Sequence, residues 1–365
     1  MPLQNIVPAD YPSLLAEKVA QFKQSFAPFY IGEPTVVASE PLHFRLRAEF
    51  RIIHDGRRID YAMFAPADRK VAVAIDSFPV AVESICTLMP RLRDAVQASN
   101  TLKDGLFQID FLATLSGQLM VTLIYHHKLG ARWEAAARGL AAELQVHLIG
   151  RSRGQKVVLD RDWLLEEFAL NDRQLRYQQI EGSFTQPNGQ VNRQMLAWAC
   201  QQASGLGGDL LELYCGNGNF TVALAPLFGR VLATEVAKSS VQAAQYNLAA
   251  NSLDNVSVVR LSSEDISAAL AGSKTPKELQ GVDFDRYRFS TLFVDPPRSG
   301  LDAQTLELAS GFDHILYISC NPQTLQDNVA ALQATHEITA AAVFDQFPYT
   351  HHLESGLLLT RRAPR

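Results

Sequence analysis

Four stretches of the chain hold residues able to do chemistry. Cys320 follows the apolar run Ile315-Leu316-Tyr317-Ile318 and precedes Asn321-Pro322, so a thiol stands where a short strand ends. Asp295 opens Asp295-Pro296-Pro297-Arg298 after another apolar run, and two prolines fix the backbone as it leaves that run. Glu354, preceded by His351 and His352, stands before a final apolar strand. Gly216-Asn217-Gly218 breaks the apolar "DLLELYC" of residues 209–215 from the helix-like stretch that follows. Each is ambiguous alone. A cysteine at a strand end is either a small hydrophobe or a nucleophile. A lone carboxylate is either a solvated charge or a general base. The histidine pair lacks a partnering acid-His set, so it reads as solvated or orienting, and no metal is expected.

The glycine turn narrows the choice. Glycine lets a strand turn sharply into a helix and lets a ligand approach with no Cβ in the way. Glu235 ends the next strand-like run, nineteen residues after Gly216, where an acid can accept hydrogen bonds from both ribose hydroxyls of a nucleotide. A dinucleotide loop carries a third glycine for the pyrophosphate; here Phe220-Thr221 holds that place. S-adenosylmethionine has no phosphate, so the shorter polar turn favours it over a nicotinamide dinucleotide.

A methyl donor, a thiol and a base together suit carbon methylation of a pyrimidine. Uracil C5 is too weak a nucleophile to attack a sulfonium methyl directly. Thiolate addition at C6 makes C5 an enolate carbon, and a base must later remove the C5 proton so that the thiol can leave. Methylation of oxygen or nitrogen, as in an adenine-N6 enzyme with a similar diproline loop, needs no such thiol. Cys320 is thus the expected nucleophile.

These groups need a scaffold that gathers them. From about Gly208 onward, β-branched runs at 209–213, 230–234, 256–259, 291–295 and 315–319 alternate with helical patterns at 221–227, 239–250 and 303–310. That alternation predicts a doubly wound, mostly parallel α/β sheet, with ligands at the carboxyl ends of its strands. The first half differs. Residues 11–28 read as an amphipathic helix, two hairpins turn at His54-Asp55-Gly56 and near Ser116-Gly117, and 133–145 is helical. This predicts an α+β module with an antiparallel sheet. Residues 151–185 read as a bridge, 273–288 as a surface connection, and the domains as 1–178 and 179–365.

Bulk properties agree with a soluble enzyme. The 365 residues are 47% hydrophobic and 19% charged, and no apolar run approaches the roughly 20 residues of a membrane span. Met1–Asn5 lacks the basic and apolar regions of a secretory leader. Cys86, Cys200, Cys215 and Cys320 show no metal or cluster spacing, which suits a reducing cytoplasm. Cys86 and Cys200 sit in apolar helical runs, and Cys215 packs under the glycine turn. The net charge is −5, yet residues up to Arg176 hold 21 basic against 20 acidic groups and the remainder 12 against 18. A polyanion would therefore dock mainly on the first half.

"FTQPN" (184–188), "LLELYCGNGNF" (210–220), "FVDPPRSGLD" (293–302), "YISCNPQTL" (317–325) and "FPYTHHLESG" (347–356) together resemble the RNA uracil-5-methyltransferases. "AEFRIIHDG", "IDSFP", "LFQID" and "HLIGR" extend the resemblance through the first half to the tRNA branch, which forms 5-methyluridine in the T loop of tRNA and is associated with tmRNA. The ribosomal-RNA branch carries an added β-barrel and an iron–sulfur cluster, for which this chain has neither length nor cysteine spacing. The resemblance implies a Rossmann-like methyltransferase domain behind an α+β RNA-binding domain, with S-adenosylmethionine as cofactor and no obligate protein partner. It implies Cys320 as nucleophile and Glu354 as proton acceptor. Gln186, Tyr214, Gly216, Asn219, Glu235 and Asp295 would line the cofactor and uracil site. On the RNA side, Arg45, Arg47 and Arg51 alternate along one strand face and could grip phosphates. Phe107 is the expected stacking partner for an unstacked base.

Overall fold

The computed structural model describes residues 6–56, 58–64, 71–273 and 276–363; Met1–Asn5, and Lys274 and Thr275 of the predicted 273–288 connection, lie outside them. Elements follow in chain order as α1 (Tyr11–Phe26), β1 (Thr35–Val37), β2 (Arg47–Asp55), β3 (Arg58–Phe64), β4 (Ala72–Ile75), α2 (Glu83–Ala98) and α3 (Asn100–Lys103). Then come β5 (Leu106–Ala113), β6 (Leu119–Tyr125), α4 (Ala131–Leu144), β7 (His147–Ser152), β8 (Gln155–Val158), β9 (Trp163–Leu170) and β10 (Arg173–Ile180). The remainder is α5 (Gly189–Ala203), β11 (Asp209–Leu213), α6 (Asn219–Leu224), β12 (Val231–Thr234), α7 (Lys238–Ala250), β13 (Val256–Val259) and α8 (Ser263–Leu270). It closes with β14 (Phe289–Val294), α9 (Ala303–Ala309), β15 (His314–Ser319), α10 (Pro322–Leu332), β16 (His336–Phe344) and β17 (Glu354–Arg361). Among the described residues no helix is long and apolar enough to cross a membrane.

Two compact units interleave along the chain. The first holds residues 40–167 and 179–189 and contains a seven-stranded sheet in the order β4-β3-β2-β5-β6-β7-β8. Its pairings are antiparallel except β6 with β7. Both predicted hairpins are present. β2 alternates as expected, with Ala48, Phe50 and Ile52 buried and the residues between them turned outward. A β-bulge between Leu106 and Gln108 breaks the register of β5 against β6. The extra residue is Phe107, and such bulges re-aim a side chain.

The second unit holds residues 10–39, 168–178 and 190–365 around an eight-stranded sheet, β1-β16-β17-β15-β14-β11-β12-β13. Pairings from β13 through β15 are parallel, while β17 runs antiparallel to both β15 and β16. Helices cover both faces, which is why β11 and β15 are buried along almost their whole length. On one face Leu211, Leu292, Ile315 and Leu357 pack with Leu325 and Val329 of α10. Phe22 and Phe26 of α1 join the same core, so residues 10–39 lie with this unit and not with the one that follows them in sequence. On the other face Trp198 meets Phe344 edge-on, and a Cβ on Gly356 would come within 2.7 Å of the Trp198 ring.

Residues 151–185, expected as a bridge, contain β8, β9 and β10. In β10 the outward Gln174 and Arg176 flank the buried Leu175 and Tyr177, and in β9 the buried Glu166 interrupts the apolar inward set, which masks the strand signal. The chain passes from the first unit to the second within β9 and back within β10.

Candidate active site

Strand order brings the chemistry-bearing residues to one rim. The chain goes from β11 to β12 and β13 on one side and to β14 and β15 on the other, so the sheet reverses direction between β11 and β14. Crevices at such a reversal open at the carboxyl ends of the strands. Leu213 and Val294 end β11 and β14 opposite one another, and Tyr214 and Asp295 are the next residues. Val294 in turn pairs with Tyr317, three residues before Cys320.

Glu354 arrives from the opposite direction. β17 is antiparallel to β15, with Ser319 opposite Ser355 and Ile318 opposite Gly356. The first residue of β17 therefore lies beside the residue just past the end of β15. A residue that begins an antiparallel strand and one that ends a parallel strand share the same end of the sheet. Cys320 is half-buried and Glu354 buried. Asn321 caps α10 by accepting from the Gln323 N–H and donates its amide to the Arg298 carbonyl, tying the cysteine turn to the diproline loop.

Burial dominates the electrostatics. It pushes the Glu354 carboxyl up to about 8, helped by Asp295 and opposed by Arg298. Burial alone pushes Asp295 up to about 7. The Cys320 thiol is raised by burial, then by Glu354 and Asp295; Arg298 pulls it down without reversing the shift. At neutral pH Glu354 is mostly protonated and Asp295 about half so, and a forming thiolate does not face two full negative charges. Glu212, buried in β11, is also pushed up to about 8 by burial, with Asp295 adding to the shift. A charged residue inside "DLLEL" was the signal for it, and the sequence reading missed it.

The glycine turn is braced from several sides. Gly216 has φ +57°, and a Cβ built on it meets nothing within 4 Å, leaving open space over the turn. The Gly216 N–H donates to Glu235 Oε2 at 3.0 Å and the Ala237 N–H to Glu235 Oε1 at 2.8 Å. Each oxygen keeps a lone pair for a further donor. Asn219 exchanges amide hydrogen bonds with Asn192 of α5 at 2.9 and 3.0 Å, and its carbonyl accepts from the Tyr177 hydroxyl. The fully buried Asn247 donates to the Asn217 carbonyl at 2.8 Å. Tyr214 has φ +61°, an unusual value for an aromatic residue, and donates its hydroxyl to Ser263 Oγ at 2.7 Å. An open turn, a two-oxygen acceptor and neighbouring carboxyls fit a cationic nucleoside ligand such as S-adenosylmethionine. Cys215 is buried beneath the turn, and burial lifts its thiol well above its usual range. Among the described residues no cluster of His, Cys, Asp and Glu could hold a metal ion.

The remaining sequence candidates lie in the first unit. Gln186 is half-buried in the coil between β10 and α5. Arg45 precedes β2 and donates from Nε to the Arg47 carbonyl; burial and Arg47 lower its guanidinium pKa. Arg47 donates to the Ser183 carbonyl at 2.8 Å and so holds the 183–185 segment. Arg51 is exposed, 5.2 Å from the Phe107 ring centroid and 5.8 Å from that of Phe64. Phe107 also stacks on exposed His126, centroids 4.1 Å apart and 15° from parallel. The expected three-arginine grip is thus one exposed arginine beside an aromatic platform, with Arg45 and Arg47 engaged by backbone.

Comparison with known proteins gives concordant results. The family model described as tRNA (Uracil-5-)-methyltransferase matches residues 10–362. The chain is 71% identical to the tRNA/tmRNA (uracil-C(5))-methyltransferase of Aromatoleum aromaticum, over 99% of this chain and 98% of that protein. It is 52% identical to the protein of the same description from Pseudomonas entomophila, over 97% and 98%. Among solved structures, the Pyrococcus abyssi tRNA (uracil-54, C5)-methyltransferase in complex with S-adenosyl-L-homocysteine shares the fold, with TM-score 0.73 at 20% identity, over 96% of this chain and 83% of that one. S-adenosylmethionine is the cofactor consistent with these matches.

Glu235→Gln removes the charge that accepts from Gly216 and Ala237. Calorimetry is expected to show S-adenosylmethionine binding weakened about tenfold or more, the equivalent of one charge-assisted hydrogen bond.

Proposed function

The chain belongs to the tRNA (uracil-5-)-methyltransferase family, and on that footing we propose that it methylates C5 of a uridine in the T loop of tRNA and in the T-like loop of tmRNA. The product is 5-methyluridine, and the cytoplasm is the compartment that holds both substrates. The observation that carries the mechanism is the meeting of Cys320 and Glu354 across the β15–β17 register, beside Asp295 and the braced glycine turn.

The Cys320 thiolate adds to uracil C6, and the displaced electron pair makes C5 nucleophilic. S-adenosylmethionine, when bound, supplies the electrophilic methyl group. Glu354 then takes the C5 proton. The electron pair left at C5 forms the C5–C6 double bond, the C6–S bond breaks, and its pair returns to the Cys320 sulfur. A carboxylate held near 8 is a far stronger base than an ordinary one and suits this deprotonation. Arg298 favours the thiolate, and Asp295 faces the reacting base. Gly216, Glu235, Asn219, Tyr214 and Gln186 hold the cofactor in this reading, Gln186 on the strength of its "FTQPN" motif.

The first unit takes the RNA. A uridine inside a folded loop must leave its stack to reach a sulfur atom. Phe107, presented by the β5 bulge and stacked on His126, offers a surface for an unstacked base, and Arg51 offers a phosphate contact.

Deprotonation from a preformed adduct isolates Glu354, because the thiol is already consumed. The base form is the carboxylate, so the single-turnover rate of C5-proton release is expected to rise about tenfold per pH unit and level off above about 8. In Glu354→Gln the release is expected to be slow at every pH; a flat profile in the native chain would contradict the assignment. On the RNA side, Phe107→Ala is expected to weaken tRNA binding by about 1–3 kcal/mol with the salt dependence unchanged. Arg51→Ala is expected to reduce the slope of log K against log salt by about one. Filter binding across a salt series checks both.

A further inference from the structure

Lys18 is a buried cation outside the site described above. It sits in α1, only 7% exposed, and its three N–H groups are all engaged with one hairpin loop. They donate to Asp345 Oδ1 at 2.7 Å, the Phe347 carbonyl at 3.0 Å and the His352 carbonyl at 3.0 Å. Those acceptors span residues 345–353, which join β16 to β17, and Glu354 follows directly. Phe344 and Glu354 pair across the base of the loop.

Other features show that this loop is held in place from outside. Tyr349 has φ +62°, a conformation a tyrosine keeps only where its surroundings over-determine it. Tyr11, from the same helix as Lys18, meets the Tyr349 ring at 5.9 Å. Asp345 donates its N–H to the Val37 carbonyl of β1. The exit of the loop also places His352 3.4 Å from Arg298, the cation that pulls the Cys320 thiol pKa down. The ammonium binds the entry of the loop to its exit, two residues from the carboxylate.

We infer that Lys18 is a positioning residue for deprotonation: it cinches the 345–353 loop so that Glu354 reaches the C5 proton of the methylated adduct. The inference rests on the reading of Glu354 as the base. It assigns a part in catalysis to the N-terminal helix, whose residues touch neither cofactor nor uracil in the reading above. A charge balance alone would be met by Asp345; the two carbonyl contacts are what fix the geometry of the loop.

The test uses the full-length chain with a tRNA transcript labelled with tritium at uridine C5 and S-adenosylmethionine labelled at the methyl carbon. Methyl label counts addition and transfer, and tritium release counts deprotonation. Lys18→Met is expected to keep methyl transfer within a few-fold of native while slowing tritium release about 10- to 100-fold, as a misplacement of about 1 Å does. Adduct resistant to denaturation then accumulates. Because Lys18→Met leaves Asp345 unpaired, the double variant Lys18→Met/Asp345→Asn restores the melting temperature and is expected to keep the slow release. The inference is overturned if both steps fall together and both recover in the double variant, since Lys18 would then be a counter-ion only. It is equally overturned if Lys18→Met releases tritium at the native rate while Glu354→Gln does not, which leaves the base assignment standing. If Glu354→Gln itself releases tritium normally, the base assignment falls, and the inference with it.

Discussion

The antiparallel register of β17 against β15 is the constraint on which the proposed chemistry depends. A parallel α/β sheet delivers residues to its active rim only from the carboxyl ends of strands. One reversed strand adds a residue from an amino end at the same rim. Ser319 opposite Ser355 fixes the match, and a slip of one residue would turn Glu354 to the other face of the sheet. Gly356 protects that register, because Trp198 and Phe344 occupy the space that any Cβ there would need. The proposed nucleophile and base thus come from neighbouring strands whose positions are set by hydrogen bonds and packing.

Burial then sets protonation. Glu212, Asp295 and Glu354 all lie above the ordinary carboxylate range, and Asp295 raises both of its neighbours. Ionising all three in one crevice is unfavourable, so they titrate as a coupled set. A cationic sulfonium ligand suits such a crevice, whereas the demethylated product, neutral at sulfur, loses that attraction. The same burial that raises Glu354 suits the proposed role of base without a histidine. The cost falls on stability: with folded pKa values above the unfolded ones, these groups favour the fold below about pH 4.5 and lose that contribution as the pH rises through about 8.

Much of the second unit was legible in the sequence. β11, β12, β14 and β15 fall within two residues of the apolar runs that marked them, because strands buried on both faces are largely hydrophobic, and the edge strand β13 was marked by its valines. The glycine turn, Glu235, Asp295 and Cys320 were singled out because their types and spacing are tied to strand ends, and the structure places them at such ends. Long-range partners were not legible. Lys18 reads as an ordinary solvent-facing lysine of an amphipathic helix, and its ion-pair partner lies 327 residues away. Alternation placed Arg45 and Arg47 with Arg51, yet it says nothing of which carbonyls Arg45 and Arg47 meet. β9 was hidden because Glu166 lies on its buried side, and β10 because Gln174 and Arg176 interrupt its apolar residues.

The most direct measurement takes a tRNA transcript whose T-loop uridine is replaced by 5-fluorouridine, adds the chain and S-adenosylmethionine, and maps any covalent protein–RNA species by mass spectrometry. Fluorine at C5 cannot leave as a proton, so the reaction should halt after methyl transfer. The account predicts a denaturation-resistant adduct on Cys320 that is absent in Cys320→Ala. An adduct on another residue, or none while ordinary tRNA is still methylated, would contradict it.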